Sequence, residues 1–507
     1  MNRPSLNYDI LLNIARFADR RTLRCLMQTC KELYRPAAKL ILADGYACLR
    51  TLADIRSFLS FLLADPEHRL PLLHRLEIKV DVRRYKRRSR QADSALPALF
   101  RRLAESGALT DLILWRAEDL VNALIDIPPT IVALKTLSRL ELNDVGPFSG
   151  VMLGAMEARL VSVAVKFQEP GLGFPLGGHF NKDPLDLLIR YRRTLRELKM
   201  SCAVIPFTQL NANNTPRYEN VTTLTLERMH LPSIQLFVYA FPELRRLSVH
   251  RCVDEDSFDT DYTQVYEQRY ANQEQQRTQG SWPSLESFCG SVYNLHYLGI
   301  TCPISVLDLT DDCAYDDHIF PMDVVREILL DLHPVELALR VPGIYAFRDK
   351  DFHNLCLRPA FQDLRTLKFV ASLQDEDGDD DWSSAVGDLV ANIIGPLPSL
   401  SQFELHLNCD VIIDDSNESD SNEAETPAQR LEKYPLSRLE RELADWDPVA
   451  FAERAFEASA GRTLKSVTVV QEGHRVREDF KLECKEDPKI RNLTKMNGLR
   501  DDSGDAQ

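Results

Sequence analysis

Apolar residues at the first, fourth and sixth places of a six-residue stretch recur along the chain, starting at Leu73, Leu109, Leu137, Leu160, Leu195, Val221, Leu244, Leu295, Leu332, Leu364, Leu400 and Leu464. Nine of these twelve stretches also carry non-apolar residues at the second, third and fifth places, as in Leu73-His74-Arg75-Leu76-Glu77-Ile78. Chance would give about one or two of that kind. Alternation of this sort fits a half-buried strand, because successive side chains point to opposite faces. Each stretch therefore predicts a short strand with its apolar pair in a core and the residues between facing outward. Asp54–Ala64, Ser94–Ala104, Asp183–Arg193, Met322–Leu332, Asp351–Phe361, Ser383–Ile394 and Pro448–Ala458 instead space their apolar residues three and four apart. Several of them open on Asp or Ser, which suits a helix N-cap.

Strand and helix thus alternate from about Leu73 to Val470, and the repeated L-x-x-L-x-L resembles a leucine-rich repeat. The resemblance implies an α/β fold in which stacked strands line one face and helices form the back, an irregular leucine-rich-repeat-like solenoid. The spacing between successive stretches runs from 23 to 64 residues, and the Asn or Cys that usually follows the strand has counterparts only near Asn143, Cys252, Cys302 and Cys409. One or two doubly wound α/β domains would also alternate strands with helices. No Gly-rich turn opens a helix after a first strand to favour that alternative.

Ahead of the repeats, Leu6, Ile10, Leu11, Ile14 and Phe17 recur at helical spacing, Asp19-Arg20-Arg21-Thr22 interrupts, and Leu23, Leu26, Cys30 and Leu33 resume it. Two short amphipathic helices follow from this spacing, and a solenoid needs such a cap. The order of residue types from Leu6 to Phe17 and from Leu23 to Tyr34, followed by Pro36–Leu42, is also similar to an F-box, the module that docks on the Skp-type adaptor of SCF ubiquitin ligases. Leu6, Asp9, Ile10, Leu11 and Ile14 match its opening; Leu23, Leu26, Cys30 and Lys31 match its second half. Asn7 stands where the family usually has Pro, and Leu33 or Tyr34 where it often has Trp.

An N-terminal F-box followed by a leucine-rich-like array is the arrangement of a class of substrate receptors. The resemblance implies a Skp-type adaptor as partner and, through it, a cullin-RING ligase. Adaptor contact would fall to Leu6, Ile10, Leu11 and Leu23, with Ile14, Leu26 and Leu33 divided between contact and the module's own core. A protein substrate would meet outward strand residues such as Glu77, Lys79, Glu141, Asn143, Lys199, Glu227, His250, Lys368, Glu404 and His406. Such a receptor is not itself an enzyme; it raises the effective concentration of a substrate lysine near a loaded conjugating enzyme. The alternative is an interaction scaffold unconnected with ubiquitin, its N-terminal helices capping the array.

The chain then divides into a helical module at 1–45, a linking helix at 46–72, a repeat region at 73–475 with insertions at 253–281 and 410–437, and a polar tail at 476–507. In the first insertion Phe258, Tyr262, Tyr266 and Tyr270 lie four apart, on one helical stripe. That stripe is either a docking surface for a partner or an edge packing back on the array. The second insertion, with Asp414–Asp420, and the stretch Asp375–Asp381 read as acidic loops, and neither has the ligand spacing of an EF-hand.

Charge sharpens this picture. Of the 76 acids in the 507 residues, fifteen lie between Ala371 and Glu425 with no Lys or Arg among them, which leaves 61 acids against 61 bases elsewhere. A neutral body argues against a nucleic-acid partner, which needs a basic face. The run Arg83–Arg90 reads as a solvated loop, with an import signal or an RNA-contacting loop as alternatives. Without a long apolar run or a signal-peptide pattern, an intracellular protein, cytoplasmic or nuclear and off the membrane, is expected. Eleven Cys without a C-x-x-C pair fit reduced thiols and no metal site. No phosphate-loop, zinc-protease or serine-hydrolase motif occurs, and Gly171–Gly178 reads as a turn, so neither cofactor nor catalytic residue is expected.

Overall fold

The computed structural model of the chain describes residues 8–29, 31–43, 45–82, 95–168, 183–203, 205, 215–229, 231, 233–252, 262–311, 322–373, 381–409, 435–459, 463–485 and 491–495. Leu6, Cys30, the run 83–90, the Gly-rich 171–178, Phe258 and most of the two acidic stretches lie outside the described residues. The fold is mixed α/β and forms two compact units, Met1–Pro232 with Leu236–Leu244 and Ser233–Gln235 with Arg245–Gln507. The expected repeat region at 73–475 is therefore shared between both.

The first unit begins with helices α1 (Tyr8–Phe17), α2 (Arg20–Thr29) and α3 (Lys31–Ile41). Leu33 thus belongs to a third helix, where the sequence suggested two. Seven strands follow: β1 (Tyr46–Leu49), β2 (Arg75–Ile78), β3 (Asp111–Leu114), β4 (Arg139–Val145), β5 (Ser162–Phe167), β6 (Glu197–Ser201) and β7 (Thr223–Glu227). Each runs parallel to the one before it in the chain. The register sets Leu76, Leu112, Leu140, Val163, Leu198 and Leu224 side by side, and Ile78, Leu114, Leu142, Val165, Met200 and Leu226 in a second row. Both rows are buried, as are the leading residues Leu73, Leu109, Leu137, Leu160, Leu195 and Val221.

Backbone geometry repeats as closely as the side chains. At the start of each of β2 to β7 one carbonyl of the preceding repeat accepts from two successive amides: Gly45 O from His74 and Arg75, His74 O from Thr110 and Asp111, and so on to Arg196 O from Thr222 and Thr223, all at 2.7 to 3.2 Å. Seven places after their leading residues, Arg116, Asp144, Cys202, Arg228 and Arg251 all adopt left-handed φ between 49 and 63°. That conformation is uncommon for residues with a Cβ. Residue type at this place varies, so the shared turn leaves no mark in the sequence.

The second unit continues with β8 (Arg246–His250), β9 (Leu285–Gly290), β10 (Ile304–Leu309), β11 (Glu336–Pro342), β12 (Thr366–Ser372), β13 (Gln402–Asn408) and β14 (Ser466–Glu472), which are parallel in chain order. Leu247, Phe288, Leu307, Leu337, Leu367, Phe403 and Val467 form its buried ladder. Alternate residues of the strands stay half-exposed in both units, so one face only is covered. Strands in unbroken chain order with one open face do not meet the doubly wound alternative, which requires a reversal of strand order and helices on both sides.

Several expectations are corrected. Leu295 lies in a helix, Val292–Leu298, capped by Ser291, whose hydroxyl accepts from the Asn294 amide at 3.1 Å. The strand expected from Leu332 starts two residues later, so Leu337 rather than Val335 joins the ladder. The region 46–72 holds strand β1 as well as the helix Leu52–Leu63, because Ala47 and Leu49 extend the buried rows. The tail at 476–507 contains β15 (Phe480–Lys485), antiparallel to β14, and β16 (Arg491–Lys495), antiparallel to β15. Phe480, Leu482 and Cys484 alternate with polar residues and bury the apolar set, a period-two pattern hidden by the polar average.

Candidate protein-interaction surfaces

The N-terminal helices fold around a small core of Ala15, Leu23 and Ala37, packed by Ala18, Leu26, Met27, Leu40 and Ile41. Leu33 is fully buried as well. Asp19 starts α2 by accepting from the Thr22 amide at 2.6 Å, and that bond holds its carboxyl below the usual range. With Ala15 turned inward, the spacing of α1 leaves Ile10, Ile14 and Phe17 on its outer side, 49, 49 and 92% exposed. Of the residues expected at an adaptor, Ile10 and Ile14 are therefore open and Leu11 and Leu26 half-buried. Leu23 is a correction: it was expected at the surface and is part of the module's core, because its face of α2 packs against Ala15 of α1 and Ala37 of α3.

On the open face of the first unit, Glu77, Glu141 and Lys199 lie in one row across the strands, and Asn143, Ser201 and Glu227 in the next. They pair with one another. The Asn143 amide donates to Glu141 at 3.0 Å, and Glu227 receives Lys199 at 3.0 Å and the Ser201 hydroxyl at 3.1 Å. Burial pushes the Glu227 carboxyl up, but Lys199 and Ser201 outweigh it and hold the group below its ordinary value. Glu77 is only 7% exposed. It accepts from the Tyr46 hydroxyl, from Trp115 Nε1 at 2.8 Å and from Lys79 Nζ at 2.8 Å, while the Lys79 ammonium sits 4.7 Å from the Trp115 ring centroid. Trp115, 41% exposed, presents the surface expected of Glu77.

In the second unit Lys368 and Glu404 are neighbours in one row and His406 lies in the next. His406 Nε2 is 3.4 Å from Glu404, and this contact, with Lys368, holds the carboxyl down. His250, at the end of β8, places Nδ1 2.8 Å from Asp311.

No family model and no curated protein matches the chain.

The tyrosine-bearing insertion forms the helix Tyr262–Gln279, which packs back on the second unit. Its inward seam is polar: Val265 is joined by Arg269, Asn272 and Gln276, all buried. Arg269 reaches Asp331 at 2.6 Å and the His296 carbonyl at 3.3 Å. Asn272 donates to the Tyr297 carbonyl at 2.9 Å and accepts from the Ile234 amide at 3.3 Å. Gln276 donates to the Gly299 carbonyl at 2.8 Å. Of the tyrosines, Tyr266 stands edge-on to the His296 ring at 4.9 Å and Tyr270 is exposed. Burial, helped by Arg269, lowers the His296 pKa against the pull of Glu327 at 3.1 Å.

Trp115 escaped sequence reasoning because it follows its strand by one residue; its outward parity with Ile113 was the available signal. The polar seam had none, since Asn and Gln at helical spacing read as a solvated face. Among the described residues, no helix is long and apolar enough to cross a membrane, and no group of three His, Cys, Asp or Glu is placed to hold a metal ion.

Proposed function

We propose that the chain is a substrate-recruiting receptor subunit of an SCF-type ubiquitin ligase. Its N-terminal helices would act as an F-box on a Skp-type adaptor, and its strands as an irregular leucine-rich-repeat-like solenoid whose open face holds a protein substrate. The observation that carries this reading is the apolar stripe of Ile10, Ile14 and Phe17 on α1. A helix that merely capped the array would turn its large apolar residues inward. Contiguous apolar surface left in water marks a binding site more often than chance. Strands in chain order, parallel and covered on one face, support the repeat reading, and the Trp115–Lys79–Glu77 cluster supplies an aromatic anchor of the kind that dominates interface energetics.

The role is positional: the adaptor holds one end, the substrate the open face, and the target lysine is kept close to the transfer chemistry carried elsewhere. Leu6 and Leu11 complete the proposed adaptor contact. The test is calorimetric titration of the full chain with a purified Skp-type adaptor, beside Ile10→Asp with Ile14→Asp. Micromolar or tighter binding is expected, weakened at least about a hundredfold in the variant, since each buried Ile is worth about 2 kcal/mol. Circular dichroism should be unchanged, because neither residue belongs to the module's core. A folded wild-type chain that does not bind would overturn the reading in favour of the scaffold.

A further inference from the structure

Between the N-terminal helices and the first repeat of the first unit lies a half-open cavity of about 570 Å³. Pockets that take small ligands span about 300–1,000 Å³ and are mostly apolar with a few convergent polar groups. Met27 of α2, Tyr34 and Ile41 of α3, and Phe58 and Phe61 of the helix Leu52–Leu63 form its apolar walls. None of the five is fully buried by the fold. The Phe58 and Phe61 rings stack at 6.1 Å with 24° between their planes, a flat surface for another apolar group.

The polar lining has one sign left over. Asp54 is engaged with the chain itself, accepting from the Arg50 and Thr51 amides at 3.1 and 2.9 Å as the cap of its helix. Arg24 and Arg50 also line the cavity and make no ion pair among the described residues. Arg69 adds a third guanidinium behind the wall, 2% exposed, its Cζ 4.5 Å from the Tyr34 centroid and 4.3 Å from that of Phe61. One nitrogen donates to the Phe61 carbonyl at 2.5 Å, while Nε and Nη2 have no hydrogen-bond partner. A buried guanidinium with two unpaired nitrogens raises the positive potential around the aromatic wall. A cation entering here would meet two lining arginines against the single carboxylate of Asp54; an anion would complete the arginines.

We infer that this cavity binds a small amphiphilic anion, with an aromatic or aliphatic body against Tyr34, Phe58 and Phe61 and a carboxylate or phosphate directed to Arg24 and Arg50. The site draws on α2, α3, β1 and the helix after it, so an occupied cavity ties the N-terminal helices to the first repeat and raises the unfolding temperature. The inference is independent of the adaptor reading: Ile10, Ile14 and Phe17 do not line the cavity, and the test needs no adaptor.

The full chain is titrated with anilinonaphthalene sulfonate, an aromatic anion whose fluorescence rises in apolar surroundings, and the bound dye is competed with dodecanoate, dodecyl phosphate and dodecyl trimethylammonium. One saturable site is expected, emptied by the two anions and not by the cation, and the stronger anion identifies the head group as carboxylate or phosphate. Arg24→Glu with Arg50→Glu should weaken dye binding about tenfold or more. Ser57→Trp, which fills the cavity from an exposed position of the helix, should remove the site with the arginines intact. Equal competition by the cation, unchanged affinity in a folded variant, or no saturable site in the wild-type chain would overturn the inference.

Discussion

Glu77 is the most constrained carboxylate on the open face of the first unit. Burial alone would push its pKa up; hydrogen bonds from Lys79, Tyr46 and Trp115 outweigh that and hold it at about 2. The Tyr46 phenol moves the other way, raised by burial and by the carboxylate it serves. An unfolded glutamate takes up its proton near pH 4.3, the folded one only near the lower value, so protonation favours unfolding. Glu77 therefore stabilises the fold fully above that unfolded value, and its contribution is lost as the pH falls through the folded one. The loss between pH 6 and pH 3 should be about 1–2 kcal/mol. Urea unfolding of the wild type and Glu77→Gln at both pH values checks this. The variant should be less stable at pH 6 and less sensitive to acid, and an identical acid sensitivity would refute the assignment.

At the scale of an element, the helix Tyr262–Gln279 shows where polar residues do the work usually given to leucine. Replacing Asn272 by Leu keeps the branched skeleton but strands the Tyr297 carbonyl and the Ile234 amide, at a cost of about 2–3 kcal/mol. Tyr270→Ala, on the exposed side, should change stability by less than about 0.5 kcal/mol. Thermal unfolding of the two variants separates a polar seam from a tyrosine stripe as the holding surface. The contrast also explains what could be read in advance. Stretches with polar gaps, such as those from Leu73, Leu137 and Leu364, lie in strands because period two has no helical counterpart. Leu295 carries Tyr297 in one of its gaps and is helical. The strand β9 was hidden because its sixth place is Gly290, where a Cβ would come within 2.4 Å of the Val249 carbonyl. β10 carries the same spacing at Ile304, Leu307 and Leu309 without polar gaps throughout, Val306 filling one, while before β1 Asp44 stands where a leading apolar residue would be. At the proposed adaptor surface Ile10 and Ile14 were legible as one stripe, whereas the inward turn of Leu23 depended on packing among three helices that no single period encodes.

For the whole chain, the strands that close an edge matter more than their polarity suggests. β15 and β16 cover the last parallel strand of the second unit with an antiparallel pair, so the amides and carbonyls on that side of β14 are satisfied. Ending the chain after Glu478 would leave that edge bare, with Val467, Val469 and Val470 along it, a ready template for pairing with another molecule. The truncated protein is expected to elute as larger species in size-exclusion chromatography and to unfold at lower denaturant. A monodisperse truncation of unchanged stability would show that the pair is dispensable.

The carbonyl that receives two amides at the start of a strand has a bearing on inheritance. In the first unit the start of each strand from β2 to β7 is fixed by bonds to its predecessor and not by the chain that leads to it, so that chain is free to vary. Each doubling of a connecting loop costs only about 0.6 kcal/mol, and spacings from 23 to 64 residues can coexist. A single residue lost inside a strand, by contrast, would turn its whole apolar set to solvent. A lineage carrying this ladder can gain and lose loops almost neutrally while its short strands stay under selection, until relatives share a backbone and little alignable text.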